Sequence, residues 1–311
     1  MRYLFQNQLT LFKGLIGRKW LENPLKRRVS IFLLTFIVVT LSACSAIGLA
    51  YNNADTLLLN QVDSYLDLDS RQELFARERA AAFFAWHRQE ELPEYASWLR
   101  SIKSKIASGA SEAQIAQLAT EVNLRMDKAL QKLAPELAEL ALTLSPTQLE
   151  RLKEKYAENA TQLSKEYLKK TPAEQREKRF ESLLSSLERL YGSLQAEQKE
   201  RLRALSDARP LNHQFLLSER LRRQQDVVDT LERIRKQRPS LEIATREMKA
   251  LFERFSPSPD PQRRAYFEQV NQGTYRTIAL ISNVATKEQR AFAQERLEAW
   301  ARDLTALIAK K

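Results

Sequence analysis

The sequence predicts an all-α protein of about nine or ten helices, arranged as antiparallel hairpins after an N-terminal signal or anchor segment. Two observations indicate this fold class. Only four glycines lie beyond residue 44, where Ala, Leu, Glu, Gln, Lys and Arg dominate, and these residues are good helix formers. Alternating runs of β-branched residues, which would indicate strands, are missing. We therefore expect residues 44–311 to form a single helical domain.

The first element is the apolar segment IFLLTFIVVTLSACSAIG at 31–48, which follows the basic triplet KRR at 26–28. A basic region followed by an apolar one is the layout of a secretory signal. The segment contains Cys44, the only cysteine of the chain. LSAC at 41–44 resembles the bacterial lipobox, in which the cysteine is acylated and the preceding peptide is removed. The resemblance implies that residues 1–43 are a cleaved signal peptide and that Cys44 carries a covalent lipid such as palmitate.

An uncleaved anchor is the alternative, because the uncharged run continues from Val29 through Ala50 and is long enough to span a bilayer. Both interpretations leave the basic side in the cytoplasm and the later residues outside it. Ser45 follows the cysteine at the position where an Asp would favour the inner membrane of a Gram-negative cell. The lipobox resemblance therefore implies an outer-membrane protein that faces the periplasm.

Charge and cysteine content restrict the partners. Residues 1–43 carry seven Lys or Arg and one Glu, a net +6 of the whole chain's +11, so the remainder has a formal charge of +5. With an export signal present, this modest excess does not predict nucleic-acid binding. The sequence predicts neither a cofactor nor a small-molecule substrate. Because no second cysteine is present, the fold contains no intramolecular disulfide and depends on packing.

Helix starts follow a recurrent capping pattern. In LSPTQLERL at 144–152, Ser145 is the N-cap, Pro146 is the first helical residue, and the Gln148 side chain reaches back to the cap. The pattern recurs at Asp69, Thr171 and Thr286, whereas LQAEQKERL at 194–202 keeps Gln198 without a good capping residue. Stops are expected near Leu92-Pro93, Gly109, Gly192, Arg209-Pro210, Arg238-Pro239 and SPSPDP at 256–261.

Apolar residues at spacings of three and four predict two buried helix faces. Pro135 lies inside the first stripe, so we expect a kink or break just before it. The first stripe comprises Ile115, Leu118, Val122, Met126, Leu130, Leu133, Leu137, Leu140 and Leu144, and the second comprises Leu217, Leu221, Val228 and Leu231.

Several segments resemble an uncharacterised domain-of-unknown-function family of helical bacterial lipoproteins. They are YNNADTLLLNQVDSYLDLDSRQ at 51–72, WHRQEELPEYASWL at 86–99, LYGSLQAEQKERL, and NVATKEQRAFAQERL. The resemblance implies no activity. A weaker similarity connects LSPTQ and ATKEQ with the L-T-x-x-Q helix starts of the Spy and CpxP periplasmic proteins. The most specific part of the resemblance to the uncharacterised family is formed by five residues, which we call the signature residues: Trp86, His87, Arg88, Pro93 and Tyr95.

Two surfaces are candidate sites. His87 with Glu90 and Glu91 could place an imidazole and carboxylates on one helix face, but a metal site needs more ligands, and the only other histidine is His213. We interpret the aromatic cluster around His87 as a packed helix corner. A basic helix, ERLRRQQDVVDTLERIRKQRP, offers a candidate interaction surface for anionic lipid, lipopolysaccharide or peptidoglycan, although a solvated face with salt-bridge partners is the simpler interpretation. Its residues are Arg220, Arg222, Arg223, Arg235 and Lys236.

No catalytic constellation is recognisable, and the sequence predicts that the chain is not an enzyme. Two classes of function remain. The chain is a membrane-tethered binding protein of the envelope, chaperone-like or acting in envelope stress, or it is a structural component that bridges the outer membrane to another envelope part. An exposed apolar surface would favour the first class.

Overall fold

The computed structural model describes residues 46–210, 212–255 and 260–309. Within these residues every regular element is helical and no strand occurs, so the predicted all-α class is confirmed. Residues from Ala50 onward form one compact unit. The helices are α1 (Ala46–Asn52), α2 (Ala54–Leu66), α3 (Ser70–Trp86), α4 (Leu92–Lys105), α5 (Glu112–Thr143), α6 (Pro146–Leu163), α7 (Pro172–Tyr191), α8 (Ala196–Ala208), α9 (His213–Gln237), α10 (Leu241–Glu253), α11 (Pro261–Val284) and α12 (Lys287–Ile308).

The predicted helix starts are confirmed at four capping boxes. The side chains of Asp69, Ser145, Thr171 and Thr286 each accept a hydrogen bond from a backbone N–H one turn on. In each case the side chain of the third helical residue accepts a hydrogen bond from the backbone N–H of the cap residue. At Gln195 the backbone N–H donates to Gln198 at 2.8 Å, so this start too uses the returning side chain.

The predicted helix stop at Leu92-Pro93 is wrong. A π-helical turn, His87–Glu91, instead joins α3 directly to α4. At Pro135, where we expect a kink or a break, no break occurs, because α5 continues through the proline. At Pro135 the neighbouring Ala134 and Ala138 are fully buried against α10, so packing on both sides of the proline holds the helix together.

The helices form two bundles that share α5. The first bundle contains α2, α3, α6, α9, α10 and the C-terminal half of α5, and its core includes Leu144, Leu149, Ile234 and Met248. The second bundle contains α4, α7, α8, α11, α12 and the N-terminal half of α5, with a core around Tyr191, Leu202, Ile281 and Leu297. Two long elements, α5 and the α3–α4 rod, therefore pass from one bundle to the other.

Each bundle contains a buried pair of glutamines that joins two helix starts. In the first, Gln72 and Gln148 exchange amide hydrogen bonds of 3.2 and 2.6 Å. In the second, Gln198 and Gln289 exchange hydrogen bonds of 2.8 and 2.9 Å. Each side-chain oxygen also accepts from the N–H of its own cap. Helix starts far apart in sequence are thus held together by fully satisfied polar groups.

Candidate functional site

The signature residues lie at the last residue of α3, on the π-helical turn and in the first turn of α4. Pro93 has no N–H, so a regular α-helix would leave a carbonyl one turn earlier without its donor. The wider turn lets the N–H of Leu92 donate to the carbonyl of His87, and Pro93 occupies the first turn of α4. The helix continues past a proline because one turn is widened, and such π-helical turns are frequent at functional sites.

The widened turn places a carboxylate inside the protein. The Glu91 side chain is only 2% exposed and forms an ion pair with Lys128 of α5. A buried carboxylate requires such a partner, because removing a charge from water costs several kcal/mol. Glu91 therefore fixes the position of the α3–α4 rod against the middle of α5.

Aromatic rings and cations alternate along the same contact. Lys132 lies 5.4 Å from the centre of the Trp86 ring, and Arg125 lies 5.6 Å from Tyr95 and 5.7 Å from Trp98. These distances are within the range of cation–π attraction. The α3–α4 rod and α5 meet here through charged and aromatic groups, whereas the cores of both bundles are formed mainly by aliphatic side chains.

A hydrogen bond from Trp98 to Glu121 is the last of these contacts between the α3–α4 rod and α5. The Trp98 indole N–H donates to Glu121 at 2.5 Å, and this bond holds the pKa of the carboxyl below its usual range. Glu121 also accepts from Gln117 on its own helix at 3.1 Å. This hydrogen bond therefore fixes the orientation of the Trp98 indole, at the point where α4 and α5 diverge.

His87 lies among five aromatic rings. The ring centres of Tyr51, Phe83, Phe84, Trp86 and Tyr95 are all within 6.4 Å of the imidazole centre. The hydroxyl of Tyr51 is 2.8 Å from Nδ1 of His87.

This environment controls two pKa values. Burial lowers the pKa of His87, although the nearby Glu91 opposes the change, and burial raises the pKa of Tyr51 to about 12. At neutral pH the imidazole is therefore neutral, and the hydroxyl can donate to it. The predicted cluster of aromatic side chains is present, and it surrounds a helix that continues through one widened turn.

The second candidate surface, on α9, is largely engaged in ion pairs. Arg222 and Arg223 both contact Glu219, at 2.8 and 2.9 Å, and Lys236 contacts Glu232 at 2.9 Å. Arg220 and Arg235 are half-buried. Whether this surface contacts a partner stays a prediction.

The middle of α5 departs from the predicted apolar stripe. The stripe is buried at Ile115 and again at Leu140, where the two bundles cover it. Between them Val122 is 44% exposed and Met126 is 42% exposed, and the two lie on the same face of the helix, whereas Leu124, which is 62% exposed, lies on the opposite side. We call Val122 and Met126 the α5 apolar surface. It lies between the two bundle cores, on a helix section that is held from one side by the cation and aromatic contacts.

Sequence reasoning missed the partners of the signature residues. Tyr51, Arg125, Lys128 and Lys132 complete the cluster around the π-helical turn. The spacing of Arg125, Lys128 and Lys132 at three and four residues does place them on one helix face, which was an available signal. No sequence pattern indicated which aromatic segment that face meets.

Cys44, the signal peptide at 1–43 and most of the alternative anchor lie outside the described residues, which include only residues 46–50 of that anchor. Within the described part of the chain, no group of three or more His, Cys, Asp or Glu side chains is placed to hold a metal ion. His87 and His213 belong to different clusters, since His213 stacks on Tyr167 with ring centres 4.8 Å apart. No helix among the described residues combines the length and apolar character that a membrane crossing requires.

The comparison with protein families gives one match. The model of a family of unknown function, DUF6279, matches residues 64–254, which include the π-helical turn, the middle of α5 and the basic helix. The chain belongs to this family, which confirms the resemblance to an uncharacterised family. No curated protein and no solved structure matches the chain.

Proposed function

We propose that this member of the DUF6279 family is a lipid-anchored binding protein of the bacterial envelope, which holds protein clients on the α5 apolar surface. The observation that carries the proposal is the exposure of Val122 and Met126 in the middle of a stripe that is buried at both ends. Scattered exposed apolar residues are ordinary, but a group on one helix between two packed cores is typical of a contact surface.

The chemistry of this surface suits clients of varied shape. Met126 has a flexible, polarisable side chain that adapts to different partners. The section of α5 around it is fastened to the α3–α4 rod by the Glu91–Lys128 pair and the aromatic contacts. A client can therefore bind to one side of a helix whose other side is already fixed. The proposal assigns no reaction to the chain.

The membrane location rests on the sequence of the N-terminal segment. LSAC at 41–44 would place a diacylated Cys44 six residues before Ala50, where the compact unit begins. Two acyl chains anchor a protein stably, whereas one gives only marginal binding. The body would then stand close to the periplasmic face of the outer membrane, with clients reaching it from the periplasm.

In-cell crosslinking from single positions tests the client surface. A photoactivatable residue at Met126 should capture several different envelope proteins, and the same residue at Asp127, which is exposed on another side of α5, should capture few. A single abundant product from Met126 would instead favour the bridging component considered above. Equal products from both positions would contradict a client surface on α5.

The anchor has its own test. Cys44→Ala should abolish labelling by a clickable palmitate analogue and leave an unprocessed precursor. Equal labelling of the variant and the unaltered chain would contradict the lipobox interpretation and restore the uncleaved anchor.

A further inference from the structure

A cleft in the second bundle lies between the end of α8 and the middle of α11. Its volume is about 240 Å³, and its walls include Arg209, Gln269, Gln272, Gly273 and Arg276. This is smaller than a pocket for a drug-sized ligand, which is roughly 300 Å³ or more. The polar groups on its walls are guanidinium and amide groups.

Arg209 has no protein partner for its charge. The residue is half-buried, its Nε is buried without a hydrogen bond, and its guanidinium makes no ion pair with a described carboxylate. Outside the described residues, Glu22 in the signal segment is the only acidic side chain. Removing part of a guanidinium from water without a counter-charge has a cost, which a bound anion would reduce.

A second arginine increases the positive charge behind the cleft. Arg179 is only 11% exposed, contacts Asp207 at 3.6 Å, and also has a buried Nε without a hydrogen bond. Burial lowers the pKa of Arg209, and repulsion by Arg179 lowers it further. The pKa of His213 is lowered by burial and then by the same Arg179 charge. Arg276 on the cleft wall pairs with Glu112 at 3.2 Å, so the two carboxylates of Asp207 and Glu112 face three guanidinium groups and leave a local excess of positive charge.

We infer that this cleft binds a phosphate group, either free or as the headgroup of a lipid, through the guanidinium of Arg209 with Arg276 beside it. The inference is independent of the proposed function, because the cleft lies in the second bundle and shares no residue with the α5 apolar surface.

Two features favour phosphate. A guanidinium offers parallel N–H donors that match two oxygens of a phosphate group, and an added anion would supply the counter-charge that Arg209 lacks. Gly273 keeps the wall open, since a Cβ at this position would lie 2.7 Å from Cγ of Arg209. A larger residue there would push the arginine stem away from its present place.

The test uses the full chain, purified in a nonionic detergent without phosphate buffer. Isothermal titration with inorganic phosphate and with a short-chain phosphatidic acid should give saturable heat for at least one of them, and the tighter ligand identifies the source of the phosphate. Arg209→Gln should weaken that binding about tenfold or more, as expected when a charge-assisted bond is lost. Gly273→Ala should also weaken it, because it moves Arg209 without removing a charge.

Arg201→Gln is the matched control, because Arg201 lies on α8, the helix that Arg209 follows, and because it is exposed and pairs with Glu197. It should bind as the unaltered chain does. If Arg209→Gln fails to fold by circular dichroism, Gly273→Ala carries the comparison alone. The inference is overturned if neither ligand binds the unaltered chain, or if the Arg209 and Gly273 variants bind as well as Arg201→Gln.

Discussion

Replacing Glu219 by Gln should cost the protein about 3 kcal/mol of unfolding free energy at neutral pH. The carboxylate is 3% exposed and contacts three arginines: Arg222 at 2.8 Å, Arg223 at 2.9 Å and Arg263 at 3.2 Å. The arginines belong to α9 and α11, so the group joins two helices. Glutamine has nearly the same shape but no charge, and it would leave three guanidinium groups facing one another.

The magnitude follows from the proton affinity of the carboxyl. Hydrogen bonds, first from Arg222 and then from Arg223, hold the pKa of Glu219 at about 2, against an ordinary value of 4.5. A tenfold change in proton affinity is worth about 1.4 kcal/mol, so the native surroundings stabilise the charged form by about 3 kcal/mol. Because the pKa is lowered by folding, this stability is present above pH 4.5 and is lost as the pH falls towards 2.

Urea unfolding of the full chain in nonionic detergent, followed by circular dichroism, measures the difference. The gap between the unaltered chain and Glu219→Gln should be about 3 kcal/mol at pH 7 and less than half of that at pH 3. Glu197→Gln is the control, because its partner Arg201 is exposed and such pairs contribute less than about 1 kcal/mol. A gap that does not change between pH 7 and pH 3 would refute the argument.

Three further helix contacts are tested by substitutions with the same unfolding measurement. Ser145→Ala should cost about 1 kcal/mol, because the N–H of Gln148 loses its acceptor, and an unchanged midpoint would contradict the cap. Trp86→Ala should cost about 2 kcal/mol, less than a fully buried ring, whereas His87→Gln should cost much less; the reverse order would contradict a packing role. Gln198→Leu should cost about 2 kcal/mol by removing the acceptor of one N–H of the buried Gln289 amide, and Gln198→Leu with Gln289→Leu should cost less than the two single changes together.

The helix starts could be predicted from the sequence because a capping box is complete within four residues. Ser145 and Gln148 satisfy each other wherever the rest of the chain lies. Their second role could not be predicted in the same way. The amide of Gln148 also bonds Gln72, 76 residues earlier, and only the tertiary fold brings these two helix starts together.

Neither Pro93 nor Pro135 ends a helix, and the reason is again that the surrounding structure, and not the local sequence, decides the outcome. A proline interrupts an isolated helix because it removes one hydrogen bond and crowds a carbonyl. At Pro135 the flanking alanines pack so closely against α10 that the helix continues, and at Pro93 the widened turn resolves the conflict. The two prolines identify in the sequence both places where the helix has to accommodate a missing N–H, but the local sequence could not indicate which change of structure accommodates it.

Periodicity identified the apolar face of α5 but not the elements that cover it. The positions of Val122 and Met126 fit the stripe as well as those of Ile115 and Leu140, yet only the latter are buried. The spacing of apolar residues is a property of one helix, whereas their burial depends on whether another helix packs against them. The two bundles cover the ends of α5 and leave its middle exposed, which no local pattern distinguishes.

The exposure of this section allows function and stability to be separated. Because Val122 and Met126 are 44% and 42% exposed, each is only a little more than half buried, and replacing both by serine should lower the unfolding free energy by about 2 kcal/mol, less than two truncations in a core would. The same double variant should lose the client products seen by crosslinking from a photoactivatable residue at Ala119, which lies one turn before Val122 on the same face of α5. Loss of those products from a variant that remains folded would locate binding on α5. A large loss of stability would mean that Val122 and Met126 belong to the packed core, and the proposal of a client surface would then fail.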